Sequence, residues 1–397
     1  MAASLIVRNV RPWGGPLRDV MILDGKIAPD GASPPAGTPE EDGAGHILLP
    51  GLVEAHTHLD KTMLGMPWYR NEVGPRLIDK IDNERATKKA LGIDPHRQSM
   101  RQAIRSVAKG STHIRSHVDV DTEIGLEGIE GVMRTRDALR DHVFIEIVAF
   151  PQSGLLARPG TLELLEEAMR MGSEVVGGLD PCGIDSDPKG HLDAVFALCG
   201  RFGKPLDIHL HETGELGAFS TRLILERTRA LGMRGNVTIS HAFCLGHPDP
   251  ALIDPLLDEI AALDVRIMTT GAPSRPVPAV APLTRRGITV CAGNDGIRDT
   301  WSPYGNGDML ERAMIVGLRN NLRRDDEVEL ALRVCTEGGA RTMDLPAYGL
   351  EPGCDADLVL VRGESVAEAV VDRAPRPLVV KSGRVVARDG RALAEAP

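Results

Sequence analysis

Aromatic side chains are scarce in this chain: Phe, Trp and Tyr make up 3% of 397 residues, so a core of this size must be built from aliphatic residues. Paired cysteines are missing. Cys182, Cys199, Cys244, Cys291, Cys335 and Cys354 are scattered without any C-x-x-C spacing, which argues against a disulfide framework and a thiolate zinc site and leaves free buried thiols as the expectation. No run of about 18 apolar residues occurs, so a transmembrane helix is not expected. Met1 to Arg8 carry no basic leader before a long apolar stretch, and a cytoplasmic enzyme is the default. Positive charge is also in deficit, with 46 Lys and Arg against 56 Asp and Glu and a net charge of -10. That balance disfavours nucleic acid and anionic membrane as partners and suits a small neutral or cationic molecule, with a homo-oligomer left open. A glycine-rich phosphate turn after the first barrel-like strand, the mark of a doubly wound nucleotide fold, is absent as well.

What is present is ordinary for a globular protein: 42% hydrophobic and 26% charged residues, in a length that fits one large α/β barrel with an appendage. The first residues read as short strands with tight turns, and Asp24-Gly25 between two apolar runs predicts a hairpin. Pro29 to Gly45 reads as an exposed connection. Asp355 to Val361 and Leu378 to Val386 repeat the strand, turn, strand pattern at the far end. Neither terminal piece can bury both faces of a sheet alone, so 1–48 and 345–397 are expected to join as one small composite β-sandwich domain.

Between them, in 49–344, apolar runs alternate with helical patterns such as Leu162 to Met169 and Leu223 to Leu231. Eight runs end near His56 to His58, Ser116 to Asp119, Phe150, Asp180, His209 to His211, His241, Thr270 and Asp295. Eight strands with helices between them predict a (β/α)8 TIM barrel, whose carboxyl-end rim carries the chemistry. His56-Thr57-His58 closes the first run, and if that run is a strand both imidazoles leave one face. By itself the tripeptide is equally compatible with an ordinary strand. With His209, His241 and Asp295 at other strand ends it becomes part of a metal site, because imidazoles plus a carboxylate suit zinc, ferrous iron or another borderline divalent ion.

Several motifs resemble the amidohydrolase superfamily. Pro50-Gly51-Leu52-Val53-Glu54-Ala55-His56-Thr57-His58 is similar to its first-strand signature, and Asp355-Ala356-Asp357-Leu358-Val359 to its closing β-domain. Ser116-His117-Val118-Asp119, Val148 to Gly154, His209-Leu210-His211-Glu212, Ser240-His241-Ala242 and Asn294 to Trp301 point to the cytosine-deaminase-like branch, in order along the whole chain. The resemblance implies that His56, His58, His209 and Asp295 hold one divalent metal, zinc or iron, that His241 stands beside the attacking water, and that Glu212 carries protons. The fourth run, Glu174 to Asp180, has no lysine to bridge a second metal.

Gln152 takes a ring-binding role by the same resemblance, since its amide can donate and accept along a ring edge. Trp301 either walls the pocket or packs in the core. Lys61, Asp180 and His211 resemble the triazine-ring members more than the cytosine enzymes, whereas Gly296 departs from both by lacking a side chain beside Asp295. His117 and Asp119 are expected to support the ligands from behind. The implied activity is metal-dependent hydrolysis of an exocyclic amine from a pyrimidine- or triazine-like ring. The rivals are a cyclic-amide hydrolase of dihydroorotase or hydantoinase type, which opens the ring, and a non-catalytic ligand-binding barrel.

Overall fold

The structure is a computed structural model that describes residues 3–395. The outermost two residues at each end of the expected composite domain therefore lie outside the described residues.

The middle of the chain is the expected barrel. Eight parallel strands, Leu52–Thr57, Ser111–Asp119, Phe144–Phe150, Val175–Leu179, Leu206–His209, Val237–Ser240, Arg266–Thr269 and Val290–Ala292, neighbour one another in chain order. The ring closes where Thr57 bridges Asp295 in parallel and the Asp295 N–H donates to the His56 carbonyl at 2.9 Å. The strands are short apolar runs because a parallel strand under helices is buried on both faces. Helices return the chain between strands, and their ends are marked locally. Three begin with Asp-Pro, where Asp94, Asp187 and Asp249 accept from the N–H groups of Arg97, Gly190 and Ala251. The helix Thr161–Met171 lies between Gly160 and Gly172, both at positive φ. Of the largest fully buried side chains only Phe150 and Phe196 are aromatic, the rest being Ile and Leu, as the composition requires.

Both termini contribute to a mixed sheet of nine strands. Asp24 and Gly25 both take positive φ, 49° and 76°, and turn Arg18–Leu23 into Lys26–Ile27, which is the backbone that a two-residue hairpin turn needs. The first strand, Leu5–Pro12, is irregular between Val7 and Val10, and residues from either side of that irregularity share an apolar cluster with Leu358, Leu360, Leu378 and Val380. Two details differ from the expected layout. The connection from Pro29 to Gly45 contains a strand, Glu40–Asp42, parallel to the first. The sheet also continues through Ile47–Pro50, paired antiparallel with Leu358–Val361, so its residues reach Pro50 and the barrel strand begins at Leu52. All six cysteines are free; Cys199, Cys244, Cys291 and Cys335 are buried and Cys182 and Cys354 half-buried. No helix among the described residues is long and apolar enough to cross a membrane.

Candidate active site

The strand ends meet at the barrel mouth. One side-chain atom from each of His56, His209, His241 and Asp295 lies within 4.8 Å of the others. His58, on the same strand as His56, reaches this group through its Nε2, 3.1 Å from Asp295 Oδ1. The set around Asp295 therefore includes His241 and leaves His58 outside it, against the shared carboxylate. His241 and Asp295 have φ of 69° and 62°, and Asp180 nearby has 33°. Left-handed backbone at three non-glycine strand ends is a cost that the surrounding fold sustains at this rim.

These donors fit a divalent ion. His56 Nε2 and both ring nitrogens of His209 and His241 are buried with no hydrogen-bond partner among the described residues, a state that otherwise carries a penalty. Burial holds the His56, His209 and His241 pKa values below the ordinary range, keeping the rings neutral, the form that binds metal. Behind them lies an orienting chain. His56 Nδ1 is 3.1 Å from Ser240 Oγ, which donates to Asp207 at 2.6 Å, and Asp207 accepts from Arg115 at 3.0 Å. Such partners set ring orientation and tautomer. His117 is fully buried beside His56 with ring centroids 4.0 Å apart, and neither of its ring nitrogens has a hydrogen-bond partner among the described residues.

A cavity of about 640 Å³ opens above this cluster. Lys61, Gln152, His211 and Trp301 all line it. Lys61 is buried and donates to Gln152 Oε1 at 2.7 Å, Asp119 at 3.1 Å and Glu84 at 3.3 Å. Burial opposes its charge, but Asp119, Glu84 and Asp60 raise its pKa, so it stays an ammonium. Since an ammonium only donates, the Gln152 atom facing it must be the oxygen, and the amide N–H group is left for a ligand. Lys88 completes the network on Asp60 and Asp119, at 3.2 and 2.9 Å. Trp301 donates from Nε1 to Glu84 at 2.8 Å, which fixes it as a cavity wall. Asp180 does not line the cavity; its Oδ2 holds His211 Nδ1 at 2.6 Å, and its Oδ1 accepts from the His211 N–H at 2.6 Å. Burial works against a charged His211, yet the Asp180 carboxylate more than offsets it and the pKa rises.

Glu212 is the residue whose placement sequence reasoning could not supply. It is buried and does not line the cavity; Oε1 accepts from the N–H groups of Cys182 and Gly183 at 2.9 and 2.7 Å, and Oε2 accepts from Ser220. Burial raises its pKa. Three further participants went unnoticed in the sequence: Glu84, Lys88 and Asp299. Glu84 and Lys88 come from the first helix after Lys61 and its end, with no motif to flag them. Asp299 sits inside the Asn294 to Trp301 motif and lines the cavity.

Comparison with known proteins agrees with this geometry. The sequence profile of the amidohydrolase family matches residues 40–387. N-isopropylammelide isopropyl amidohydrolase of Pseudomonas sp. (strain ADP) is 32% identical over 357 residues, 88% of each chain. The crystal structure of N-isopropylammelide isopropylaminohydrolase from Burkholderia multivorans ATCC 17616 superimposes with a TM-score of 0.95 at 50% identity, covering 98% of this chain and all (100%) of that one. That of 5-methylcytosine deaminase from Klebsiella pneumoniae with 5-fluorocytosine gives 0.84 at 27% identity, covering 99% of each. A family profile across the barrel and most of the terminal sheet, together with relatives matched over nearly their full length, leaves one conclusion: the chain belongs to the amidohydrolase family of hydrolytic enzymes.

Proposed function

We propose that the protein is a metal-dependent aminohydrolase with one divalent ion, zinc or iron, that removes ammonia or a small amine from a pyrimidine- or triazine-like ring. The observation that carries this reading is the convergence of His56, His58, His209, His241 and Asp295, of which His58, His209 and Asp295 line a cavity walled by Lys61, Gln152, His211 and Trp301. The relatives named for N-isopropylammelide and 5-methylcytosine support the substrate class. The composite terminal domain is read as 1–48 with 345–397, the strand through Pro50 serving as its seam with the barrel.

A divalent ion on His56, His58, His209 and Asp295 supplies Lewis acidity, bringing the pKa of a water toward neutrality. The chain's own groups do the rest. Asp295 and His241 orient the water toward the ring carbon that bears the amine. Gln152, its oxygen engaged by Lys61, donates to a ring carbonyl or unprotonated ring nitrogen. His211 is steadied by Asp180 and offers its other ring nitrogen to the ligand. Glu212 gives a proton to a ring nitrogen, takes the proton released by the attacking water and passes it to the departing amine. Burial raises its pKa, which favours the protonated form a donor needs, and to act it would leave Ser220 and turn toward the strand ends.

The test is a panel of cytosine, isocytosine, 5-substituted cytosines, ammelide and N-alkyl ammelides presented to purified, metal-loaded protein. Release of ammonia or amine with the ring intact is expected. Ring opening without amine release would instead identify a cyclic-amide hydrolase, and metal-independent binding with no turnover a non-catalytic barrel.

A further inference from the structure

The residue after Asp295 is glycine, and the space this leaves is filled. A Cβ on Gly296 would overlap Asp299 Oδ2 and stand 2.9 Å from Asp299 Cγ and 3.3 Å from Oδ1. The Asp299 carboxylate thus occupies the volume that a side chain at 296 would claim. It is 3% exposed, and both Gly296 and Asp299 line the cavity. Its two side-chain hydrogen bonds, from the backbone N–H groups of Trp301 and Ser302 at 2.8 and 2.9 Å, both end on Oδ1. Oδ2 has no protein donor among the described residues. The nearby ammonium of Lys61 bonds Gln152, Asp119 and Glu84 instead. With Oδ1 held by the two backbone amides, Oδ2 is the oxygen free to accept from a ligand in the cavity.

We infer that Asp299 Oδ2 is a specificity-determining acceptor that takes a hydrogen bond from an N–H or amino group on the substrate ring, and that Gly296 makes room for it. This rests on the aminohydrolase reading and narrows its substrate. Gln152 presents only its donor to the cavity, whereas Asp299 presents only an acceptor. The preferred ligand is therefore a lactam-like amino heterocycle carrying a carbonyl on one edge and an N–H on another. A ring alkylated at that nitrogen meets a carboxylate with nothing to donate.

Two substitutions separate the parts. Asp299→Asn keeps an oxygen for the Trp301 and Ser302 amides and turns the cavity-facing atom into a donor. Gly296→Ala leaves Asp299 chemically intact but displaces its Oδ2. Binding by calorimetry and amine release are measured on metal-loaded wild type and both variants, with metal content and unfolding temperature as controls. The probes are cytosine, 5-methylcytosine, N-isopropylammelide and their ring N-methyl derivatives. Wild type should prefer the N–H forms by about 10- to 100-fold, the range of a charge-assisted hydrogen bond, and each variant should lose that preference while retaining metal. If Asp299→Asn impairs folding, Gly296→Ala carries the test. Preference unchanged in the variants, with amine still released, overturns the role of Asp299 and leaves the aminohydrolase reading intact. Binding preference lost in the variants with no amine released by wild type does the reverse. Neither binding nor turnover of any probe by wild type overturns both.

Discussion

The two walls of the cavity are polar in opposite ways. On one side, at and beneath the cavity surface, His56 Nε2 and both ring nitrogens of His209 and His241 are buried without a partner among the described residues. On the other, the charges are almost fully matched: Lys61 and Lys88 are shared among Asp60, Glu84 and Asp119, and the same network holds Gln152 and Trp301. Burial without partners stores a demand that only a ligand can meet, whereas burial with partners sets positions. The imidazole wall is thus prepared to bind, and the lysine wall to hold its neighbours rigid. Substitutions on the first should cost function before stability, and those on the second should cost both.

The largest effect expected is from His56→Ala. It should strip or greatly weaken metal binding and lower turnover by about a thousandfold or more, consistent with loss of the metal's contribution. Elemental analysis decides it, because unchanged metal would remove His56 from the ligand set. A chelator should reproduce the loss in wild type and add nothing to the variant. Next is Glu212→Gln, which should retain metal yet lower kcat by roughly 10²- to 10⁴-fold, the usual range for a lost general acid or base. Survival of both metal and turnover would contradict the proton-carrying role.

Lys61→Met tests the paired wall. It leaves Asp119 with Lys88 and Glu84 with only the Trp301 indole, and removing one partner of a buried ion pair costs about 3–5 kcal/mol. Denaturant unfolding should show that loss, with KM rising because Gln152 is no longer oriented. A stable variant with ordinary KM would show that the wall does not position its neighbours. The smallest effect is from Glu84→Gln. Burial raises the Glu84 pKa, with Lys61 opposing, so the folded state holds its proton more tightly than the unfolded chain. Its contribution to stability is therefore full below the unfolded value of 4.5 and is lost as pH rises toward neutrality. Glu84→Gln should remove that slope, flattening the stability profile by about 3 kcal/mol for a carboxyl raised from 4.5 to about 7; an unchanged slope between acid and neutral pH would assign it to other groups.

The two walls also differed in how far they could be read beforehand. The imidazole wall was legible because its residues sit at the ends of apolar runs, and the run length tells where a parallel strand emerges from its helices. His56, His209, His241 and Asp295 were found that way. The lysine wall was only half visible. Lys61 stood out by resemblance, but its partners Glu84 and Lys88 belong to the helix Leu77–Thr87 and its end, in an insertion between the first two barrel strands with no pattern of its own. Trp301 remained ambiguous between wall and core until Glu84 was seen to anchor its indole. The strand Ile47–Pro50 looked continuous with the barrel strand that follows, because an apolar run does not say which sheet it joins.

Taken alone, the amino-acid order determined the number of barrel strands, the hairpin turns and several of the strand ends that meet at the mouth, since each follows from local periodicity and from turn chemistry that acts over a few residues. Tertiary structure decided how those residues divide the work. Only the folded chain shows that Lys61 engages the Gln152 oxygen at the cavity wall, that Glu212 rests against Ser220 and two backbone N–H groups, and that Asp299 fills the room left by Gly296. Each depends on side-chain direction and on contacts between segments distant along the chain, and periodicity carries no record of either.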